Sequence, residues 1–393
     1  MSARHLPVHP NLDQLEAQSN ELLLANGDAT AVTLADARHA LALSYGIRSW
    51  SRLVEACKVV DAIWDDDVEE LRGLILNHPY LRDEMARGTE HCNWGPPMSY
   101  AANLGRDRVI QMLWELGARD IDRAMGRAVL QGQIETARQL YAMGARPPRG
   151  AVMGPAETQN AEGLKYVLEL GAEICDESGD RLAPVALVLE TYCRNVIGKH
   201  RCLELFASHG IELPDTPTMA LHRGRIDLLE EHLRRDRSLL IRTFSHDEIY
   251  PHVLGCHADK SHALHATPIA GTTLLHMSVE FYEFEIARWL IARGMGVNVK
   301  AEVDAEGYGG HSPLFGCVVR QPGCGTAPFA TLLLDHGADP NVRASLRKAL
   351  MGVDDETLHT YNDVTPLEWG RQFHNRSFVD KAAMKVIAAH GGL

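Results

Sequence analysis

The feature that most limits the fold of this chain is a spacing of 12 between glycines. It occurs at Gly105 and Gly117, Gly132 and Gly144, Gly198 and Gly210, and Gly325 and Gly337, while Gly224 is followed at the same distance by Asp236. Between the members lie stretches such as "RDRVIQMLWEL" and "QIETARQLYAM", with apolar residues at helical spacing and polar residues opposite. The first glycine of a pair suits a tight helix–helix turn, and the second suits the left-handed residue that ends a helix. The unit is therefore helix, turn, helix, stop. Glycines closing such units stand at 117, 144, 171, 210, 294, 337 and 391. Their unequal separations place the variable length in the connector after each helix pair. One helix pair cannot bury its apolar face alone, so units of this kind stack on one another.

Three segments, "GTTLLHMSVEFYEFEIARWLIARGMGVNV" (271–299), "SPLFGCVV…APFATLLLDHGADPNV" (312–342) and "TPLEWGRQF…AAMKVIAAHGG" (365–392), resemble ankyrin repeats. The resemblance falls on Gly271, Thr273, Leu275 and His276, and again on Leu332, Leu333, Gly337, Ala338, Asp339 and Asn341. Leu274 stands where Pro is usual, and Phe315 and Glu368 where His is usual. Degenerate units precede them at 96–120, 123–146 and 151–173, and residues 34–58 resemble the helical lead-in of some bacterial ankyrin proteins. The resemblance implies an all-α ankyrin-repeat solenoid with a helical N-terminal cap. The expected organisation is a cap over 1–64, short degenerate repeats over 65–240, and repeats with long inserted finger loops over 241–393. It also implies a structural, hydrogen-bonding role for His276 and a helix-start role for Ser312.

Composition narrows the partners. A net charge of −13 sets up an acidic field that repels phosphate backbones, so nucleic acid is not expected. No run of 18 apolar residues occurs and no secretory signal is visible, so neither a membrane span nor export is expected. Eight cysteines without a CxxC pair fit reduced thiols in the cytoplasm.

Three long connectors fall in consecutive units, at about 240–270, 298–311 and 342–364. All occupy the same place, between the second helix of one unit and the first helix of the next. In a stack they should be neighbours, ordered against one another, and in a repeat protein inserted residues map to one face, often the binding face. The function expected is binding of a protein partner through the concave groove and these loops, with Trp94, Tyr250, Tyr308, Arg343, Arg347, Lys348 and Tyr361 as contacts. The alternative is a small-molecule or metal-binding enzyme whose pocket is built by the three insertions. There His257, His262, Asp304, Glu306 and His311 are the acid–base candidates, and Arg343, Arg347 and Lys348 suit an anionic ligand. Cys256, His257, Asp259, His262 and His265 carry donors suited to a divalent metal, but their spacing matches no zinc motif, and a polar, hydrogen-bonded finger loop is the favoured reading. No cofactor is expected. "GGHSPLFG" lacks the second glycine of a nucleophile elbow, and "GKH" at 198–200 lacks the glycine frame of a phosphate loop.

Overall fold

The structure is a computed structural model, and it describes residues 4–25, 33–89, 93–258 and 264–393. The chain divides into two compact units, one of residues 1–155 and 162–172, the other of 156–161 and 173–393. This division falls upstream of the change in repeat character expected near 240.

The first unit opens with α1 (Leu12–Ala25), α2 (Leu34–Ser44) and α3 (Trp50–Trp64). Leu15, Leu41, Ala42, Ile47 and Leu53 form one buried cluster among them. At the start of α2, Thr33 and Asp36 close a reciprocal capping box, satisfying two backbone N–H groups that have no helical partner. The acidic run 65–67 ends in Asp67, whose side chain accepts from Glu70 N–H and starts α4 (Val68–Asn77). Helix pairs follow: α5 (Pro97–Leu104) with α6 (Asp107–Glu115), then α7 (Ile121–Gln131) with α8 (Ile134–Ala142). Val109, Ile110, Met112 and Leu113 are the buried face of α6. Each such side chain contributes about 1.5–3 kcal/mol on burial, which is what holds short helices that would not persist alone.

Helices α9 (Met153–Glu157) and α10 (Ala161–Glu169) lead to the second unit. It contains α11 (Ala183–Glu190), α12 (Val196–Ser208), α13 (Pro217–His222), α14 (Ile226–Arg235), the single turn α15 (His246–Ile249), α16 (Leu274–Glu280), α17 (Phe284–Ala292), α18 (Pro313–Val318) and α19 (Ala327–Asp335). A β-hairpin of β1 (Ala344–Lys348) and β2 (His359–Val364) precedes α20 (Pro366–Gln372) and α21 (Lys381–Ala389). First helices of successive pairs lie side by side, α13 on α16, α16 on α18 and α18 on α20. The architecture is thus all-α, of stacked helix pairs, with an inserted hairpin where the sequence predicts a loop.

The turn glycines divide into two groups. Gly105, Gly132 and Gly224 take positive φ between the helices of their pairs, but Gly198 lies inside α12 and Gly325 is not left-handed. Gln159 and Tyr282, each 12 residues before a closing glycine (Gly171 and Gly294), take φ of 52° and 61° instead. Gln159 is held there by its side chain, which donates to Val188 O at 3.0 Å and accepts from Asn195 N–H at 2.8 Å.

Candidate functional site

All three insertions belong to the second unit, and backbone bonds sew them together. Gly271 N–H donates to Phe244 O, Phe244 N–H to Thr272 O, and Glu302 N–H to Gly271 O, each at 2.8 Å, tying the first insertion to the second. Gly309 N–H donates to Ser345 O at 2.7 Å, tying the second to the hairpin of the third. Gly309 has φ +128°, and a Cβ there would lie 1.9 Å from Glu302 O, so only glycine lets the strands meet this closely. The loop "DAEGYGGH" is a tight turn in which Asp304 accepts from the backbone N–H groups of Glu306 (3.0 Å) and Tyr308 (2.9 Å). Those bonds, with Arg347 opposite, hold the Asp304 carboxyl below its ordinary range.

Between the insertions lies one cavity of about 1400 Å³, larger than a pocket for a drug-sized ligand usually is. Its wall includes His246, His265, His311, Tyr308, Leu346 and Lys348. Strand β1 shows how Lys348 gets there. Its residues alternate buried and half-buried, with Ala344, Leu346 and Lys348 on the buried row. The third place of an apolar row is thus filled by an amine. Lys348 is 9% exposed, and its side-chain ammonium makes no hydrogen bond or ion pair among the described residues. Burial brings its ammonium down to about 8 from an ordinary 10.5, opposed by the Glu280 carboxylate.

The other two predicted cations of this insertion are engaged. Arg347 pairs with Asp304 at 2.7 Å and with Glu306, and lies 5.0 Å from the Tyr308 ring centroid. Arg343 pairs with Asp363 at 2.9 Å and Glu368 at 3.2 Å. The structure therefore sets Arg347 against the predicted acid–base carboxylates Asp304 and Glu306 and Arg343 against Asp363 and Glu368, leaving Lys348 as the uncommitted cation of the three.

The histidines have different fates. His276 accepts from Thr273 N–H at Nδ1, so its Nε2 carries the proton and donates to His311 O at 3.0 Å. His311 Nε2 donates to Pro268 O at 3.0 Å, and its buried Nδ1 has no partner in the described structure. Burial lowers His311 to about 4 and His276 to about 3, so both are neutral. His257 bonds Glu190 at 2.9 Å through Nδ1, with its backbone N–H on the other carboxylate oxygen at 2.8 Å. His265 and Cys256 are buried, and burial pushes the Cys256 thiol up. Asp259 and His262 lie outside the described residues. Among the described residues no three His, Cys, Asp or Glu groups are placed to hold a metal.

Two aromatic contact candidates turn out to be core. Tyr250 is fully buried, packed beside Phe281 and His222. Tyr361 is buried against Trp369 at 4.7 Å, and its hydroxyl bonds His374 Nδ1 at 2.6 Å. Trp94, in the first unit, is half-buried against Tyr100, with ring centroids 4.8 Å apart.

Sequence reading missed a layer of buried ion pairs under Phe281. Arg194 meets Glu280 at 2.8 Å, and Lys199 meets Glu283 at 2.8 Å, all four side chains being buried. Arg194 also donates to the carbonyls of Thr191 and Leu264, each at 2.7 Å. The partners are more than 80 residues apart in sequence. Glu280 and Lys199 lie on helices, but Arg194 and Glu283 lie in the turns just before α12 and α17, where no periodicity marks them.

No protein-family model and no curated protein matches the sequence. Among solved structures, the human ASB11 ankyrin repeat domain is similar at 14% identity and a TM-score of 0.27, the match covering 76% of this chain and 98% of that one. Among the described residues no helix is long and apolar enough to cross a membrane.

Proposed function

We propose that this is an ankyrin-like repeat protein whose second unit binds a small organic molecule in the cavity between its three insertions. The supporting observation is Lys348, an uncommitted amine on the buried row of β1, in the wall of that cavity. A buried polar group without a partner costs stability, commonly about 1–3 kcal/mol, and is the kind of group a ligand satisfies. The ligand class is a molecule with an apolar body and one polar end that meets the amine.

Titration with 8-anilinonaphthalene-1-sulfonate, an apolar body with a polar end, tests this reading. Saturable fluorescence enhancement is expected, and it should be lost in Ala349→Trp, which fills the cavity wall, provided that variant melts like the wild type. Equal enhancement in both proteins would remove the pocket as the binding site.

A second reading, docking of a protein partner on the same insertions, is favoured by Val303 and Leu358. Both line the cavity, yet they are 60% and 62% exposed. Apolar side chains grouped at a rim are what a partner covers. A protein captured by the wild type and released by the Val303→Ser, Leu358→Ser double variant would support it. Identical capture by both would count against it.

A further inference from the structure

Among the described residues the unit holds two buried lysines, and their settings differ in a way that names a chemistry. The Lys199 ammonium is fixed by the Glu283 carboxylate at 2.8 Å and covered by the Phe281 ring, whose centroid is 4.9 Å away. Lys348 has no carboxylate of its own. The nearby Glu280 is taken by Arg194 at 2.8 Å and by Ala266 N–H. Beyond Glu280 stand two imidazoles, and the Asp355 carboxylate is paired with the first of them, His359, at 2.8 Å. His359 is opposite Lys348 in the strand register, and His374 stacks on His359 with centroids 4.1 Å apart. The backbone N–H of His374 donates to the Tyr361 hydroxyl, which is also hydrogen-bonded to His374 Nδ1 at 2.6 Å. His374 Nε2 is buried with no partner in the described structure. Burial and the charges of His359 and Lys348 hold His374 below the ordinary imidazole range.

These surroundings favour the neutral amine. A site built for an anion would keep its cations charged and free, whereas Arg343 and Arg347 are both paired and the buried Lys348 is the cation left over. A neutral amine in a cavity is a nucleophile.

We propose that Lys348 captures the carbonyl group of an aldehyde or ketone ligand as an imine. The inference rests on the cavity being the binding site. The amine nitrogen forms a bond to the carbonyl carbon, and the carbonyl electron pair moves onto oxygen. The nitrogen gives up its two protons, the oxygen takes them and leaves as water, and the carbon–nitrogen double bond remains. No oxidant or reductant is consumed. The neutral amine population that Lys348 keeps near pH 7.5 is large beside that of an exposed lysine.

The test uses the full chain at pH 7.5 with benzaldehyde and sodium cyanoborohydride, which reduces imines to stable amines, followed by peptide mapping. Lys348 should be modified at least about tenfold faster than exposed Lys58, Lys165, Lys300 and Lys381, given its larger neutral fraction. Lys199 should stay unmodified, and Ala349→Trp should abolish the preference. Modification spread evenly over the exposed lysines would overturn the imine. If the sulfonate probe still bound saturably, the pocket reading would survive that result. If neither probe showed a cavity-dependent signal, both readings would fall together.

Discussion

The ion-pair layer under Phe281 and the hairpin wall of the cavity lie in one unit, and both bury cations, but only the first gives its cations partners. Arg194 and Lys199 end on Glu280 and Glu283 with carbonyls around them, so their charges are structural. Lys348 ends in a cavity. Burial of a charge says little by itself. A paired buried charge marks how the fold is fixed, and an uncommitted one beside empty space marks where something else belongs.

That contrast is broken or sharpened by substitution. Removing a partner from the ion-pair layer should have the largest effect. Arg194→Ala leaves Glu280 buried and uncompensated, and urea denaturation should show a loss of about 3–5 kcal/mol. A loss below 1 kcal/mol would show that water reaches the layer. Lys348→Met should act in the opposite direction. Between pH 8 and 10.5 the unfolded chain holds a proton that the folded chain has released, so stability rises with pH across that window. Replacing Lys348 should therefore stabilise the protein by up to about 3 kcal/mol below pH 8, with the gain fading by pH 10.5. A pH-independent loss in the same denaturation series would show that the amine is paired after all.

Gly309→Ala attacks the wall without touching the ion-pair layer. The positive φ and the Glu302 carbonyl should make it cost about 2 kcal/mol or more and abolish saturable probe binding. Arg347→Ala should have the smallest effect, below about 1 kcal/mol by thermal denaturation, because its pairs with Asp304 and Glu306 are solvent-screened.

The stacked helix pairs were legible because a turn and a helix end impose backbone demands that glycine meets visibly, as at Gly105 and Gly117. The spacing persisted where the residue did not. Gln159 and Tyr282 hold the same left-handed turn, Gln159 through side-chain hydrogen bonds, so glycine alone does not mark these turns. Gly198 matched by spacing but belongs to α12. The co-location of the three insertions followed from their common place in the repeat. The hairpin did not, because Lys348 interrupts the apolar alternation of Ala344 and Leu346 that would have announced a strand. The residue that hid the strand is the one that points to function. Which charges pair could not be read at all, since Arg194 and Glu280 are 86 residues apart and meet only after stacking.

The most direct test of the account is the titration of Lys348 itself. Protein carrying ¹³C-labelled lysine would be followed by NMR at the ε carbon, with the Lys348 resonance assigned by its loss in Lys348→Met. The account predicts a midpoint near 8 that shifts when the cavity is filled by the sulfonate probe. A midpoint at or above about 10.4, the value of an ordinary or ion-paired lysine, unmoved by the probe, would contradict it.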